Sequence, residues 1–428
     1  MDMGTAATAT QHSSEQQFNA PELRPFVVAL YFFFGGITSL NDVVIPKLKA
    51  LFILSNAQVM LVQSAYFTAY LLISLPATAI IMRSGYIRTA ALGLATMMAG
   101  CLLFIPASSH GLFGAFLGAL FVLAAGVTIV QVVANPLISL LGPPRTAHSR
   151  LTLAQAFNSL GTTVFPYVGS MLILGQLNKV DPATLSGAAL DAFHRQETTV
   201  IAHAYLGLAI ALGVLALVVW SRRQRLREFP PERESVLRWF ALLKRPRFAL
   251  GALSIFLYVG AEVTIGSFIV IFLMRHDVLG LGAEPAGKLV PLYWGGAMVG
   301  RFVGSGLLRV FSPGKVLACA AGAAIALLIL AITRTGAVSG YALLAIGLCN
   351  SIMFPTIFSL ASEGLGRRTH EGSGIICVAI FGGAVIPPLT GQIADLMDLR
   401  PALLLPLACY AVIASFGIFA RRPYAAGL

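Results

Sequence analysis

An all-α membrane protein of twelve transmembrane helices, arranged as two six-helix halves, is the fold class that three features of this chain predict. Hydrophobic residues make up 57% of its 428 positions and charged residues 11%, against about 25% charge in a soluble domain. Mean hydropathy is +0.84. Apolar runs of about twenty residues recur along the chain, the length an α-helix needs to cross about 30 Å of hydrocarbon. Short motifs of the first half return in the second at a fixed offset. The net charge of +12 is dispersed over short loops between apolar runs, which marks membrane topology and argues against nucleic acid.

Residues 1–24 begin with a small, polar stretch that has no apolar centre, so it reads as neither a secretory signal nor a span. It is expected to be a disordered cytoplasmic tail. Spans are predicted at about 25–48, 58–82, 88–107, 111–141, 150–176 and 199–221, then at 247–274, 286–310, 315–333, 337–364, 371–396 and 401–421. With both termini in the cytoplasm, inside segments hold 20 of the 29 Lys and Arg residues, as the positive-inside rule requires. Between the six-helix bundles 25–221 and 247–421 lies a basic linker, 222–246, broken by Pro230 and Pro231. Its VLRWFALL stretch is apolar enough to lie on the membrane surface. Residues 422–428 form a second cytoplasmic tail.

The halves resemble each other. Gly161, Pro166 and Gly169 recur as Gly383, Pro388 and Gly391, each 222 residues later, and His148 and His370 keep that offset. Two six-span units that both start inside form a parallel repeat about an axis normal to the membrane.

Polar groups inside spans need a partner or a cavity. Asp42, beside Asn41 in LNDVVIP, would cost about 2.5–3.5 kcal/mol at the centre of a span if ionised. Either it faces a water-filled cavity and carries a proton, or it is a solvated cap at the outer end of its helix. Gln63, Gln131, Asn135, Gln155 and Asn158 complete the N-terminal set; Glu262, Arg301, Asn350 and Gln392 form the C-terminal one. Gln131 and Asn135 stand at i and i+4, and Gln155 and Asn158 at i and i+3, so each pair shares a helix face. Amides donate and accept, which suits sugar hydroxyls. Interhelical bonds worth about 0.6 kcal/mol are a weak reason to carry so many. Tyr31, Tyr66, Phe157, Tyr258, Tyr293 and Trp294 offer flat faces for a sugar ring, and Tyr66 and Trp294 are taken as substrate contacts. Glu262 either couples transport to a cation, since a carboxyl withdrawn from water can hold a proton, or accepts hydrogen bonds from substrate or Arg301. Arg301 either snorkels or holds an inner gate by pairing with an acid such as Glu363.

The five cysteines, Cys101, Cys319, Cys349, Cys377 and Cys409, stand singly in apolar segments. They read as small buried packers with no disulfide or metal role. No paired acids, HExxH or nucleophile with a base appears in the spans, so the sequence reads as a non-enzyme with no cofactor and no metal. A sensor would be expected to carry a soluble output domain, and drug efflux would favour a more aromatic cavity with fewer amides.

The stretches NDVVIPKLKALFILSNAQVMLVQSAYFTAYLLISLPA, VQVVANPLISLLGP, RLTLAQAFNSLGTT, YVGAEVTIGSFIV and FPTIFSLASEGLG resemble the fucose and glucose/galactose permeases of the major facilitator superfamily, over about residues 24–421. The resemblance implies a hexose symporter working by alternating access, driven by protons or, in some relatives, Na⁺. Asp42 then matches the first-span aspartate that fucose permeases protonate. Gln131 stands where those permeases carry a glutamate, a departure that resembles the glucose/galactose branch. Gln155 and Asn158 match the AQxFNS motif lining the sugar cavity. Glu262 matches an acid of the glucose-type branch.

The expectation is therefore import of a neutral hexose of glucose/galactose type with a cation, H⁺ before Na⁺, with L-fucose or an N-acetylhexosamine as alternative cargo. Asp42 and Glu262 would couple. Asn41, Gln63, Gln131, Asn135, Gln155, Asn158, Glu262, Asn350, Tyr66 and Trp294 would bind substrate, and Arg301 would gate. Partners are the sugar, the ion and the bilayer. The chain is expected to act as a monomer in the cell membrane, the inner one in a bacterium.

Overall fold

The computed structural model describes residues 23–52, 56–110, 113–169, 187–224 and 236–422. The expected tails 1–22 and 423–428 and most of the linker, 225–235, lie outside these ranges. In chain order the helices are α1 (Arg24–Phe52), α2 (Asn56–Ser84), α3 (Tyr86–His110), α4 (Phe113–Leu140), α5 (Ala147–Gly169), α6 (Ala188–Ser221), α7 (Val236–Trp239), α8 (Pro246–Met274), α9 (Ala283–Gly287), α10 (Val290–Val310), α11 (Pro313–Thr333), α12 (Gly336–Asn350), α13 (Met353–Ser362), α14 (Thr369–Ala379), α15 (Gly382–Leu396), α16 (Leu399–Ala402) and α17 (Leu404–Phe419). No strand occurs among the described residues.

Helices α12 with α13, α14 with α15, and α16 with α17 each make up one span, so twelve crossings are traced. Among the described residues, eight helical stretches are long and apolar enough to cross a membrane by those criteria alone. α10 is diluted by its glycines and by Arg301 and Arg309. Connections are tight at the end that carries the described termini. Gly85 alone joins α2 to α3, and its φ of +80° is one that a side chain would strain.

A proline explains why the tenth span is broken where a continuous helix is expected. A proline has no N–H for the carbonyl four residues back. Pro355 thus frees the Ser351 carbonyl, the helix opens at Ser351 and Ile352, and Arg301 Nε donates to that oxygen at 3.2 Å. Pro136, within α4, likewise frees the Val132 carbonyl, which accepts the Ser373 hydroxyl at 2.9 Å. In both places a buried orphan acceptor is satisfied by a side chain from another helix, as a low-dielectric interior demands. Pro387 and Pro388 follow the second break, at Ile380 and Phe381.

Within each half, glycine lets two helix backbones touch. A side chain at Gly161 of α5 would strike the Phe32 carbonyl of α1, and one at Gly382 of α15 would strike the Phe256 carbonyl of α8. The repeat is therefore visible in packing, with Gly382 rather than the Gly383 of the sequence match in the role of Gly161.

Opposite the terminus-bearing end, α8, α11 and α16 are stapled by charge. Arg275 grips Asp398 with two nitrogens, at 2.6 and 3.0 Å, and donates to Asp277 at 2.9 Å. Arg400 joins Asp277 at 2.8 Å and the carbonyls of Ala331, Ile332 and Arg334 at the end of α11. The Asp398 carboxylate also caps α16 through the Leu399 N–H at 2.7 Å.

Two expectations need correcting. Cys101, Cys377 and Cys409 are buried, but Cys349 is half-buried and Cys319 is exposed. In VLRWFALL, Trp239 and Leu242 are buried in the bundle while Phe240 and Leu243 are exposed. That segment is a two-sided anchor for the C-terminal half instead of a strip lying wholly on the membrane surface.

Candidate functional site

The polar residues of the N-terminal half gather where α1, α2, α4 and α5 meet. One helical turn separates Gln131 from Asn135, and each amide is met by a tyrosine. Tyr31 donates to Asn135 Oδ1 at 2.6 Å, and Tyr70 donates to Gln131 Oε1 at 2.7 Å. Asn158 Nδ2 donates to the Tyr31 carbonyl at 3.2 Å. Tyr66 and Thr38 share a hydroxyl contact of 2.7 Å, and the Tyr66 ring lies 5.8 Å from that of Tyr70. Asn135 is fully buried, yet its Nδ2 has no partner among the described residues. Gln155 is 5% exposed and its amide makes no hydrogen bond among the described residues. A buried N–H₂ left unpaired costs about 1–3 kcal/mol, so these amides are poised for a ligand or water carrying its own acceptors.

The C-terminal half treats its amide differently. Asn350, with no exposed surface, donates from Nδ2 to Tyr293 Oη at 2.8 Å and accepts from Tyr410 at 2.8 Å. The Tyr258 hydroxyl lies 2.7 Å from Glu262 Oε1 and 3.1 Å from the Asn350 carbonyl. Glu262 is half-buried, and Arg301 is near enough for its charge to act on it. Trp294 stacks edge-on to Tyr293, with centroids 5.0 Å apart, and is 46% exposed.

Arg301 does not pair with Glu363. Its guanidinium reaches from the C-terminal half to the Gln155 carbonyl at 3.3 Å and to the Ser159 hydroxyl. It belongs to a seam where α5 and α10 run antiparallel: Ser149 donates to the Ser305 carbonyl at 2.7 Å, Arg309 donates to Ser149 at 3.1 Å, and Thr163 meets Met298. On α10 the contacts at Met298, Arg301, Ser305 and Arg309 are three to four residues apart and share one helix face, as do Gln155, Ser159 and Thr163 on α5. Glu363 closes the terminus-bearing end of the seam. It is held by Arg247 of its own half, and its Oε1 lies 3.0 Å from His148 Nε2 across it. On the other side, Ser373 reaches Val132, and Gly374 of α14 lies against Thr78 of α2.

A family model described as Major Facilitator Superfamily matches residues 27–388. The chain belongs to the major facilitator superfamily. A glucose/galactose transporter of Brucella abortus is 48% identical over 394 residues, 92% of either chain. An L-fucose-proton symporter of Escherichia coli is 32% identical, over 97% of this chain and 98% of its own. Among solved structures, a crystal structure of the major facilitator transporter FucP in the outward conformation superposes with a TM-score of 0.84 at 30% identity, covering 93% of this chain and 98% of that one. This major facilitator chain sits in the branch that holds these relatives.

In this major facilitator fold, the expected site residues fall into three groups. Gln131, Asn135, Gln155, Asn158 and Tyr66 share one buried region of the N-terminal half. Glu262, Asn350, Trp294 and Arg301 cluster in the C-terminal half, with Arg301 bridging to Gln155. Asn41, Asp42 and Gln63 lie on α1 and α2, but their side chains fall outside the described residues. Sequence reasoning missed Tyr70 and Tyr410, which orient Gln131 and Asn350, and the serines that cross the seam. One signal was available: Gln131–Pro136 and Asn350–Pro355 repeat an amide five residues before a proline, and the carbonyl just after each amide is the orphaned one.

Proposed function

We propose that this protein is a secondary active transporter that imports a neutral hexose, of glucose/galactose type, by proton symport through alternating access. The observation that carries the reading is the unspent Nδ2 of Asn135, fully buried beside Gln131 and close to the seam between halves. A hexose hydroxyl supplies the acceptor that this donor lacks, and Gln155 offers a second amide. Transport by the relatives named above supports the substrate class. The bundles 25–221 and 247–421 are the rocking bodies, tethered by 222–246, and a single chain is the transporting unit.

Both termini face the cytoplasm on the positive-inside rule. The bonded seam and the Glu363 contact then close the cytoplasmic side, which the likeness to an outward conformation supports. In this outward-open state Asp42 takes a proton and hexose binds among Asn41, Gln63, Gln131, Asn135, Gln155 and Asn158. The C-terminal half covers it with Glu262, Asn350 and Trp294, and Tyr66 adds a contact from the N-terminal half. Neutralising the acid removes the cost of sealing it from water. Arg301 and its neighbours then release, the cytoplasmic side opens, and sugar and proton leave.

The test is uptake of labelled glucose and galactose into proteoliposomes by wild type and Asp42→Asn, with separate pH and Na⁺ gradients. Loss of pH-driven accumulation with counterflow retained is expected. Wild-type accumulation by the variant refutes the coupling role, and counterflow with neither sugar refutes the substrate.

A further inference from the structure

A hydroxyl carries one proton and a main-chain carbonyl carries none, and these two facts orient the amides of the site. Tyr31 is fully buried, and its hydroxyl makes one hydrogen bond among the described residues, to Asn135 Oδ1 at 2.6 Å. With that amide turned over, the phenol proton would have no acceptor, so Oδ1 faces Tyr31 and Nδ2 is the end left over. Tyr70, 5% exposed, fixes Gln131 in the same way through Oε1 at 2.7 Å. Its Nε2 is then the end without a partner among the described residues. Asn158 is pinned the opposite way: its Nδ2 donates to the Tyr31 carbonyl at 3.2 Å, an oxygen that can only accept, and Oδ1 is left over. In the C-terminal half the Tyr258 hydroxyl donates to Glu262 Oε1 at 2.7 Å, and Oε2 makes no hydrogen bond among the described residues. Arg301, whose charge acts on Glu262 and whose guanidinium reaches the Gln155 carbonyl at 3.3 Å, brings both walls to one seam.

We propose that the site is polarised: Gln131 and Asn135 meet a hexose with N–H groups alone, and Glu262 meets it with a carboxylate oxygen alone. Each hydroxyl they hold then has a fixed role, as acceptor against α4 and as donor against α8. Hydrogen bonds run in one direction, from the α4 amides into the sugar and from the sugar into Glu262. This inference rests on the hexose reading above and adds to it which look-alikes the protein rejects and where on the ring. A sugar with fluorine in place of a hydroxyl keeps an acceptor and loses the donor. It is therefore tolerated where the hydroxyl faces α4 and refused where the hydroxyl faces Glu262. A deoxy sugar, which lacks both, is refused at either place, because buried polar groups are left unpaired.

The experiment uses the full chain in proteoliposomes without ion gradients. Counterflow of labelled glucose and galactose is competed with the parent sugars and with the deoxy and deoxyfluoro analogue at each hydroxyl in turn. In wild type, at least one position should show the fluoro analogue competing about five-fold better than the deoxy analogue, the worth of one hydrogen bond. At least one other should show the fluoro analogue no better than the deoxy. Asn135→Leu, checked for folding by size exclusion, should erase the advantage at one position of the first kind. Glu262→Gln changes a single atom, and with Tyr258 holding Oε1 it turns an N–H₂ group to the sugar. It should create an advantage of about five-fold at a position of the second kind. Parent sugars that fail to compete refute the transport reading and this inference with it. Parents that compete while fluoro and deoxy analogues stay equal at every position overturn this inference alone. So does an advantage that survives everywhere in folded Asn135→Leu, and so does a Glu262→Gln variant that gains none.

Discussion

Replacing Glu363 with Gln removes one negative charge that serves two partners, and its cost separates into two parts. Arg247 lies in the same half, so its loss weakens the C-terminal half but leaves the balance between conformations unchanged. The His148 contact at 3.0 Å crosses the seam and exists only while the terminus-bearing end is closed. A hydrogen bond to a charged group is worth about 1.5–3 kcal/mol when buried. The Glu363 side chain is 28% exposed and that of His148 9%, so solvent reduces this to about 1 kcal/mol. That is about five-fold in the closed-to-open ratio, since about 1.4 kcal/mol is ten-fold. Thr152, fully buried and facing Gly304 across the seam, is a suitable reporter. A Thr152→Cys variant, with the exposed Cys319 changed to Ser, should react with an impermeant maleimide about five times faster when Glu363→Gln is added. His148→Gln should give a similar acceleration, and the double change no more than either alone. An unchanged rate, or two effects that multiply, would refute the assignment of this contact as a latch.

Three further outcomes follow from the same geometry. Asp277 and Asp398 are held below the ordinary carboxylate range, first by their hydrogen bonds to Arg275. A carboxyl with a lowered folded pKa stabilises above its unfolded value and loses that contribution as pH falls through the folded one. Asp398→Asn should therefore lower the melting temperature at pH 7, and the gap from wild type should close as pH drops below about 4; a gap independent of pH argues against the staple. Gly382→Ala places a methyl on the Phe256 carbonyl and should cost about 1–3 kcal/mol, seen as lost monodisperse yield, whereas Gly322→Ala meets nothing within 4 Å and should be neutral. Asn350→Ala takes the acceptor from the Tyr410 hydroxyl, while Tyr293 still donates to the Glu262 carbonyl at 3.4 Å, and should cost about 1–3 kcal/mol; calorimetry showing no loss would mean that water replaces the amide.

The spans were legible because hydropathy and length are properties of single helices. Gln131, Asn135 and Glu262 stood out because a bilayer makes any polar residue conspicuous; the side chain of Asp42 lies outside the described residues. What a partner does was not. Asn350 and Asn135 look alike in sequence, but Tyr410 and Tyr293 consume the first while Tyr31 leaves half of the second free, a distinction set by residues 57 to 104 positions away. Arg301 was expected to choose between lipid headgroups and Glu363, and instead it serves oxygens that a proline and a helix turn expose. The break in the tenth span was hidden for a related reason. Proline signals an unmet carbonyl, but whether the helix bends or opens depends on which side chain arrives to meet it.

The seam has a genetic asymmetry. Ser149, Arg301 and Ser373 all donate to main-chain oxygens, those of Ser305, Gln155, Ser351 and Val132. An oxygen of the main chain survives any substitution at its own position. A saturation scan should thus find the donor positions sensitive and the matching receiver positions tolerant, as far as these bonds go. Drift can rewrite the receiving positions of the closure freely, on whichever half they stand, while the donating positions stay fixed.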